Sequence, residues 1–310
     1  MKPIVIFVKR LAVFVVFTLV CYILLIFVGG KFLPNKYKPN INYQLGHNYL
    51  RLKEVKQTRD VDLLFVGSSH AYRGFDTRIY QKAGYSVFNL GSSSQTPTQT
   101  LVLLKRYLKG LNPKLVVLEV FPDVFTSDGV ESSIDLIVSD KNDWNSFKMM
   151  MFQKNMKVFN TYIYVEVKNL IETKPNFTQN TYHSGGYVSK GKLRYNNSEK
   201  PPITELKLDT DQVVKFEIIL KYLKTNKIEY MLVQAPITTR MYQSYTNINE
   251  FNRKINTYGN HFNFNTKLML NDSLDFYDNH HLNENGVTEF NEAFLKLLDR
   301  HYKTLLKPSY

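Results

Sequence analysis

Four short runs set the terms for the fold. "VDLLFVG" (61–67), "SVFNLG" (86–91), "KLVVLEV" (114–120) and "EYMLVQAP" (229–236) are apolar, rich in β-branched residues and bounded by Gly, Pro or polar residues. Runs this short and this uniformly apolar are those of strands buried on both faces, and helix-length segments separate the first three. The pattern predicts a βαβ repeat: a mainly parallel sheet with helices on both sides, in three α/β/α layers.

The N-terminus carries a different constraint. After "MKPIVIFVKR" comes "LAVFVVFTLVCYILLIFVGG", Leu11 to Gly30, an uncharged run of about the length that crosses a hydrocarbon core. A cleaved signal peptide has a shorter apolar region and a small-x-small cleavage site, neither of which is visible here. Residues 1–31 are therefore expected to be an uncleaved, single-pass membrane anchor. Lys2, Lys9 and Arg10 precede the run and Lys31, Lys36 and Lys38 follow it, so charge alone does not orient it. The one cysteine, Cys21, lies inside the run, which leaves the rest of the chain without a thiol nucleophile, a disulfide or a zinc-sulfur site.

Residues 32–60 are polar and basic with Pro34 and Pro39 early, and read as a stalk with a leading helix. The main domain is expected over 61–310. Between the third and fourth strand runs, about 121–210 is longer than a connection requires and reads as an inserted cap, helical from about 147 to 173 and then a hairpin or ordered loop in "YHSGGYVSKGKLRY". At the C-terminus Val287, Phe290, Phe294 and Leu297 or Leu298 recur at helical spacing, as on a helix packed on the sheet. The net charge of +13 favours an anionic partner such as acidic lipid or polysaccharide, or a solvated basic surface. Nucleic acid is not expected: there is no arginine-rich run, zinc-finger spacing or aromatic RNA-binding signature.

The polar residues that carry chemistry collect at strand ends. Ser69 follows the first run, Gly91 ends the second, and Asp278 and His281 come just after the last extended segment, within "FNFNTKLMLNDSLDFYDNHHLNENG". In an open parallel sheet ligands bind outside the carboxyl ends of the strands, so these distant residues can meet. A serine hydroxyl becomes a nucleophile when an imidazole takes its proton and a carboxylate holds the imidazole's tautomer. Ser69, His281 and Asp278 supply those groups, and the spacing of three lets one turn carry the last two. Asp278 with His280 is an alternative dyad, and a Gly-Ser-Ser turn after a strand can equally be a helix cap.

"FVGSSH" resembles the first block of the SGNH, or GDSL-type, hydrolase superfamily, an apolar strand ending in Gly-x-Ser. "VFNLGSSS" is similar to its second block and "DNHHLNENG" to its last, Asp-x-x-His followed by a turn and Gly. The resemblance implies an SGNH-like, flavodoxin-like fold, Ser69 as nucleophile, His281 as base, Asp278 as its orienting carboxylate, and the N–H groups of Ser69 and Gly91 as oxyanion donors. It implies no metal and no organic cofactor. The block Gly-x-Asn-Asp is absent: "LEVFPDVF" offers Glu119 and Asp123 but no asparagine. Glu119 is left as a substrate contact or salt-bridge partner, and His70 and His280 as supports behind the triad.

Within the superfamily the chain most resembles membrane-anchored, extracytoplasmic members of the teichoic acid D-alanylation and alginate or peptidoglycan O-acetylation types. That resemblance implies an O-acyltransferase or esterase in the cell membrane, its soluble domain outside the cytoplasm. Its partners would be an acyl donor and an envelope glycan, with a membrane-embedded acyltransferase as a further candidate. The alternatives are a catalytically silent scaffold that binds glycan or recruits such an acyltransferase, and a module whose Gly-Ser turns cradle an anion.

Overall fold

The structure, a computed structural model, describes residues 2–41, 46–172, 178–196 and 200–306. A long helix α1 (Lys2–Gly29) is followed by α2 (His47–Glu54), β1 (Leu63–Val66), α3 (Ser69–Gly74), α4 (Thr77–Lys82), β2 (Val87–Asn89), α5 (Pro97–Leu111) and β3 (Leu115–Glu119). Then come α6 (Val130–Ser139), α7 (Trp144–Gln153), α8 (Met156–Ile171), the hairpin strands β4 (Tyr182–His183) and β5 (Tyr187–Val188), and α9 (Thr210–Thr225). The chain closes with β6 (Glu229–Gln234), α10 (Thr239–Ser244), α11 (Ile248–Asn256), β7 (His261–Asn263) and α12 (Glu284–His301).

The main sheet has the order β2-β1-β3-β6-β7, and every pairing in it is parallel. With the small hairpin set aside this is the doubly wound 2-1-3-4-5 order of flavodoxin-like sheets, whose direction of winding reverses between β1 and β3. Side chains alternate between the two faces although every residue of β1 and β3 is buried. Leu63, Phe65, Leu115, Val117, Met231 and Val233 pack with Phe290, Phe294 and Leu298 of α12. Leu64, Val66, Val116, Leu118 and Leu232 pack on the other face with side chains of α5, α9 and α11. The three-layer architecture expected from the strand runs is thus the one observed.

The last extended segment is the short strand β7. Residues 264–283 are a series of turns, because short polar side chains bond local backbone: Asn271 Oδ1 takes the N–H groups of Ser273 and Leu274, and Asp278 Oδ1 those of His280 and His281. The helical stretch expected over 147–173 is two helices. Lys154 adopts a left-handed conformation at the end of α7, and Asn155 caps α8 by accepting the N–H groups of Lys157 and Val158. Residue 173 lies outside the described residues. "YHSGGYVSKGKLRY" forms the β4–β5 hairpin, tied to the sheet by the Asn89 N–H to Gly185 O bond of 2.7 Å and to α2 by Arg51, which donates to Gly186 O.

Helix α1 has 28 residues and is largely exposed, but its last two turns lean on α8. Tyr22 Oη donates to Asn160 Oδ1 at 2.5 Å, Phe27 stacks on Tyr164, and Ile26 is buried. The chain beyond α1 is held against the same helix, Asn40 N–H donating to Thr161 Oγ1 and Asn160 Nδ2 to Tyr37 O.

Candidate active site

Two strand ends at the reversal point of the sheet frame the site. Beyond β1 the chain turns at Gly67, whose φ of +150° and whose neighbour Glu119 leave no room for a side chain: a Cβ there would lie 2.6 Å from Glu119 Cβ. Ser68 is then the N-cap of α3, its Oγ accepting the His70 N–H. Ser69 is the first helical residue and faces the crevice.

The turn after β7 reaches the same place. His281 Nε2 lies 2.7 Å from Ser69 Oγ, and His281 Nδ1 lies 2.8 Å from Asp278 Oδ2. Because a carboxylate only accepts, Nδ1 carries the hydrogen and Nε2 offers its lone pair to the serine hydroxyl. Burial alone would raise the Asp278 carboxyl, but hydrogen bonding from His281 and the nearby His280 outweigh it and hold Asp278 down at about 2. The ring of Tyr277 lies parallel to that of His281, 5.4 Å away and 2° off coplanar, and keeps the imidazole in place. A hydroxyl, an imidazole with its lone pair directed at it, and a carboxylate fixing the tautomer therefore stand in one line.

The neighbouring pair separates cleanly by environment. Ser68 Oγ is spent on Glu119 Oε2 at 2.8 Å and on His70, and no described hydrogen bond joins it to His281. The His280 ring packs on Phe121 rather than on the serine, and its backbone carbonyl accepts the His70 Nε2–H at 2.7 Å. Burial, then the proximity of His281, keeps His280 neutral down to about 4.

Two further candidates, Gly91 and Glu119, stand behind the turn. Gly91 does abut the nucleophile turn, where a Cβ would strike Ala71 and the Ser68 carbonyl, but its N–H donates to Asn89 Oδ1 at 3.0 Å. It is not free for an oxyanion, since a polar side chain two residues back satisfies it. The Ser69 N–H, at the open start of α3, is not engaged in any described hydrogen bond, as the first N–H of a helix commonly is not. Glu119 is 5 % exposed, beneath the turn, with no cation in ion-pair range among the described residues.

Glu119 instead joins a buried polar chain. Its Oε2 accepts the Ser68 N–H at 3.0 Å and meets Ser68 Oγ, while Oε1 has no partner. Ser68 Oγ also lies 3.2 Å from His70 Nδ1, and His70 Nε2 must carry hydrogen because it faces a carbonyl. Burial, then His281 and His280, hold His70 neutral, so Nδ1 is a lone pair. The Ser68 hydroxyl has one hydrogen for two acceptors. Both contacts are hydrogen bonds only when Glu119 is protonated and donates to Ser68, and burial indeed pushes its carboxyl up to about 7.

Ring nitrogens of His70, His280 and His281 come within 4.8 Å of one another, the separation at which three imidazoles can share a cation. As bonded here, His70 Nε2 and His281 Nδ1 carry hydrogens, and the remaining His70 and His281 lone pairs are directed at Ser68 and Ser69. The rings are arranged for proton chemistry, and a metal would have to break the line to Ser69.

Three side chains beside this line carry no mark in the sequence strong enough to single them out: Tyr277, Arg73 and Lys190. Arg73 falls four residues after Ser69, one helical turn along α3, and that spacing is the one signal that could have raised it.

No protein-family profile matches the sequence, and comparison with curated proteins finds no match. Among solved structures, the chain overlaps a GDSL-like lipase from Bacteroides thetaiotaomicron at a TM-score of 0.40 and 15% identity, covering 81% of this chain and 99% of that one. It overlaps a proposed acylhydrolase from Bacteroides fragilis at 0.32 and 14%, covering 85% and 100%. At such scores and identities these likenesses bear on neither family nor activity.

Proposed function

We propose that this chain is a serine acyl-ester enzyme of the SGNH type, held in the cell membrane by α1, with its domain outside the cytoplasm. The observation that carries the reading is the hydrogen-bonded line from Ser69 through His281 to Asp278. Ser69 Oγ attacks an acyl carbonyl while His281 Nε2 takes its proton, and Asp278 steadies the imidazolium through Nδ1. The Ser69 N–H, at the start of α3, faces the developing oxyanion. His281 then gives its proton to the leaving oxygen, which leaves the acyl group on Ser69. Water or a sugar hydroxyl, deprotonated in turn by His281, takes the acyl group and returns Ser69 to its starting state.

The blocks "FVGSSH" and "DNHHLNENG", which supply this line, also support membership of the SGNH superfamily. The apolar α1 and the basic chain support action on an acidic, membrane-proximal envelope glycan, by transfer or by hydrolysis. Among the described residues one helix, α1, is long and apolar enough to cross a membrane. The test is a fluorophosphonate probe applied to the full chain in detergent. It should label Ser69, and labelling should vanish in Ser69→Ala and persist in Ser68→Ala.

One observation favours a second reading. With the Gly91 N–H bonded to Asn89, the oxyanion would be met by one backbone donor, and loss of a donor costs on the order of a hundred- to a thousandfold in rate. A silent scaffold that binds an acyl donor or recruits a membrane acyltransferase would tolerate that loss. Failure of any activated ester or phosphonate to modify Ser69 selects the scaffold.

A further inference from the structure

Beside the triad stand two cations, Arg73 and Lys190, that no carboxylate among the described residues meets at ion-pair distance. Arg73, on the last turn of α3, lies with its guanidinium 4.9 Å from the ring centre of Tyr72 and 5.8 Å from that of Tyr277. Its Nε and Nη1 are shut off from solvent and have no hydrogen-bond partner. Lys190, delivered by the β4–β5 hairpin, holds its Nζ 5.6 Å from the same Tyr277 ring. Neither forms an ion pair with a carboxylate among the described residues. Tyr277 is the ring stacked on His281, so the guanidinium lies within about 11 Å of the catalytic imidazole.

This arrangement is costly for the free protein. Buried N–H donors without acceptors lose the full value of their hydration, and two like charges around one ring repel. Aromatic faces offset part of that, but they use the π-face of the guanidinium and leave its in-plane N–H groups unmet. A planar fork of unused donors is the complement of a pair of anionic oxygens. The neighbours agree. Burial and then Arg73 depress the Lys190 ammonium, with Asp278 opposing, and burial followed by Arg51, Arg73 and Lys190 holds His47 neutral down to about 3. His47 lies against the far side of this cluster, on Tyr72, and its own Nδ1 is buried without a partner.

We infer that Arg73 and Lys190 form a substrate subsite for an anionic oxygen group, a phosphate or a carboxylate, with the Arg73 guanidinium within about 11 Å of the His281 ring. Arg73 takes two of its oxygens through the fork, and Lys190 neutralises the remaining charge from the hairpin side. The inference rests on the proposed function and deepens it, since it fixes the substrate as an acidic rather than a neutral glycan. It also gives the hairpin a role, that of carrying one of the two cations to the crevice.

The test does not require turnover. Full-length Ser69→Ala in detergent micelles is titrated calorimetrically with glucose 6-phosphate, glucuronate and glucose. The anionic sugars should bind at least about tenfold more tightly than glucose, and whichever of the two binds better identifies the group. Arg73→Gln should remove about tenfold or more of that preference and Lys190→Gln a smaller share, while Arg73→Lys should recover part of it. A thermal melt of each variant checks that it is folded, and Lys190→Gln, at an exposed position beyond β5, serves if Arg73→Gln is not. Equal binding of glucose and the anions, no binding of either anion, or full preference in folded Arg73→Gln and Lys190→Gln overturns the inference. Anion binding through Arg73 in a chain whose Ser69 never reacts would remove the enzyme reading and leave the subsite. A reactive Ser69 without anion preference would do the reverse.

Discussion

Glu119 makes stability depend on pH in a direction opposite to most carboxylates. Buried without a cation, it is held up to about 7 in the fold, against an ordinary value of 4.5. A carboxyl so raised binds its proton more tightly when folded. Its contribution is therefore fully present below about pH 4.5 and is lost as pH rises through about 7. The difference corresponds to about 3 kcal/mol, nearly all of it accruing between about pH 4 and pH 8. Asp135, raised to about 6 by burial, acts in the same sense, and Asp278 in the opposite one, so the wild-type curve alone does not isolate the group. Glu119→Gln does, because the amide does not titrate. Denaturant titrations of the wild type and the variant at about pH 4 and pH 8 give two stability differences. The variant should be the less stable at pH 4, where it breaks the chain through Ser68 to His70, and should gain on the wild type by about 3 kcal/mol by pH 8. If the two differences agree to within about 1 kcal/mol, the fold does not raise the Glu119 carboxyl above its ordinary value, and the proton count along Ser68 and His70 is wrong.

Other consequences follow from the same turn. Asp278→Asn presents an amide that can leave His281 in the wrong tautomer, and should lower kcat on an activated ester by on the order of a thousand- to ten-thousandfold with little change in KM. Gly67→Ala would put a Cβ 2.6 Å from Glu119 Cβ and 2.7 Å from its Oε2 at a φ of +150°. It should destabilise the chain by about 1–3 kcal/mol and reduce Ser69 labelling, read by melting and by the phosphonate probe.

Much of this arrangement is readable from the sequence because it rests on local regularities. The strands at 63–66, 87–89, 115–119 and 229–234 announce themselves by being buried on both sides, and Asp278 and His281 by a spacing that one turn enforces. Other features depend on what folding brings alongside. Gly91 sits where a free N–H was expected, but whether that N–H is free is decided by the rotamer of Asn89. Glu119 ends a strand where a crevice residue would also end, and only the placement of Gly67 puts it below the turn instead of above it. Arg73 and Lys190 belong to a helix and a hairpin remote in the chain, and their shared partner is a ring, Tyr277, that no spacing marks.

Helix α1 does more than end before the domain begins. Its Tyr22, Ile26 and Phe27 are seated on α8, and the strand of chain that follows is fastened to the same helix through Thr161 and Asn160. With α1 in a bilayer, the height of the crevice above the lipid is therefore fixed by helix packing and not by the length of a tether. A domain so held would not sweep a volume above the bilayer. It would patrol a single plane by lateral diffusion, and only groups presented at that height would come within its grasp.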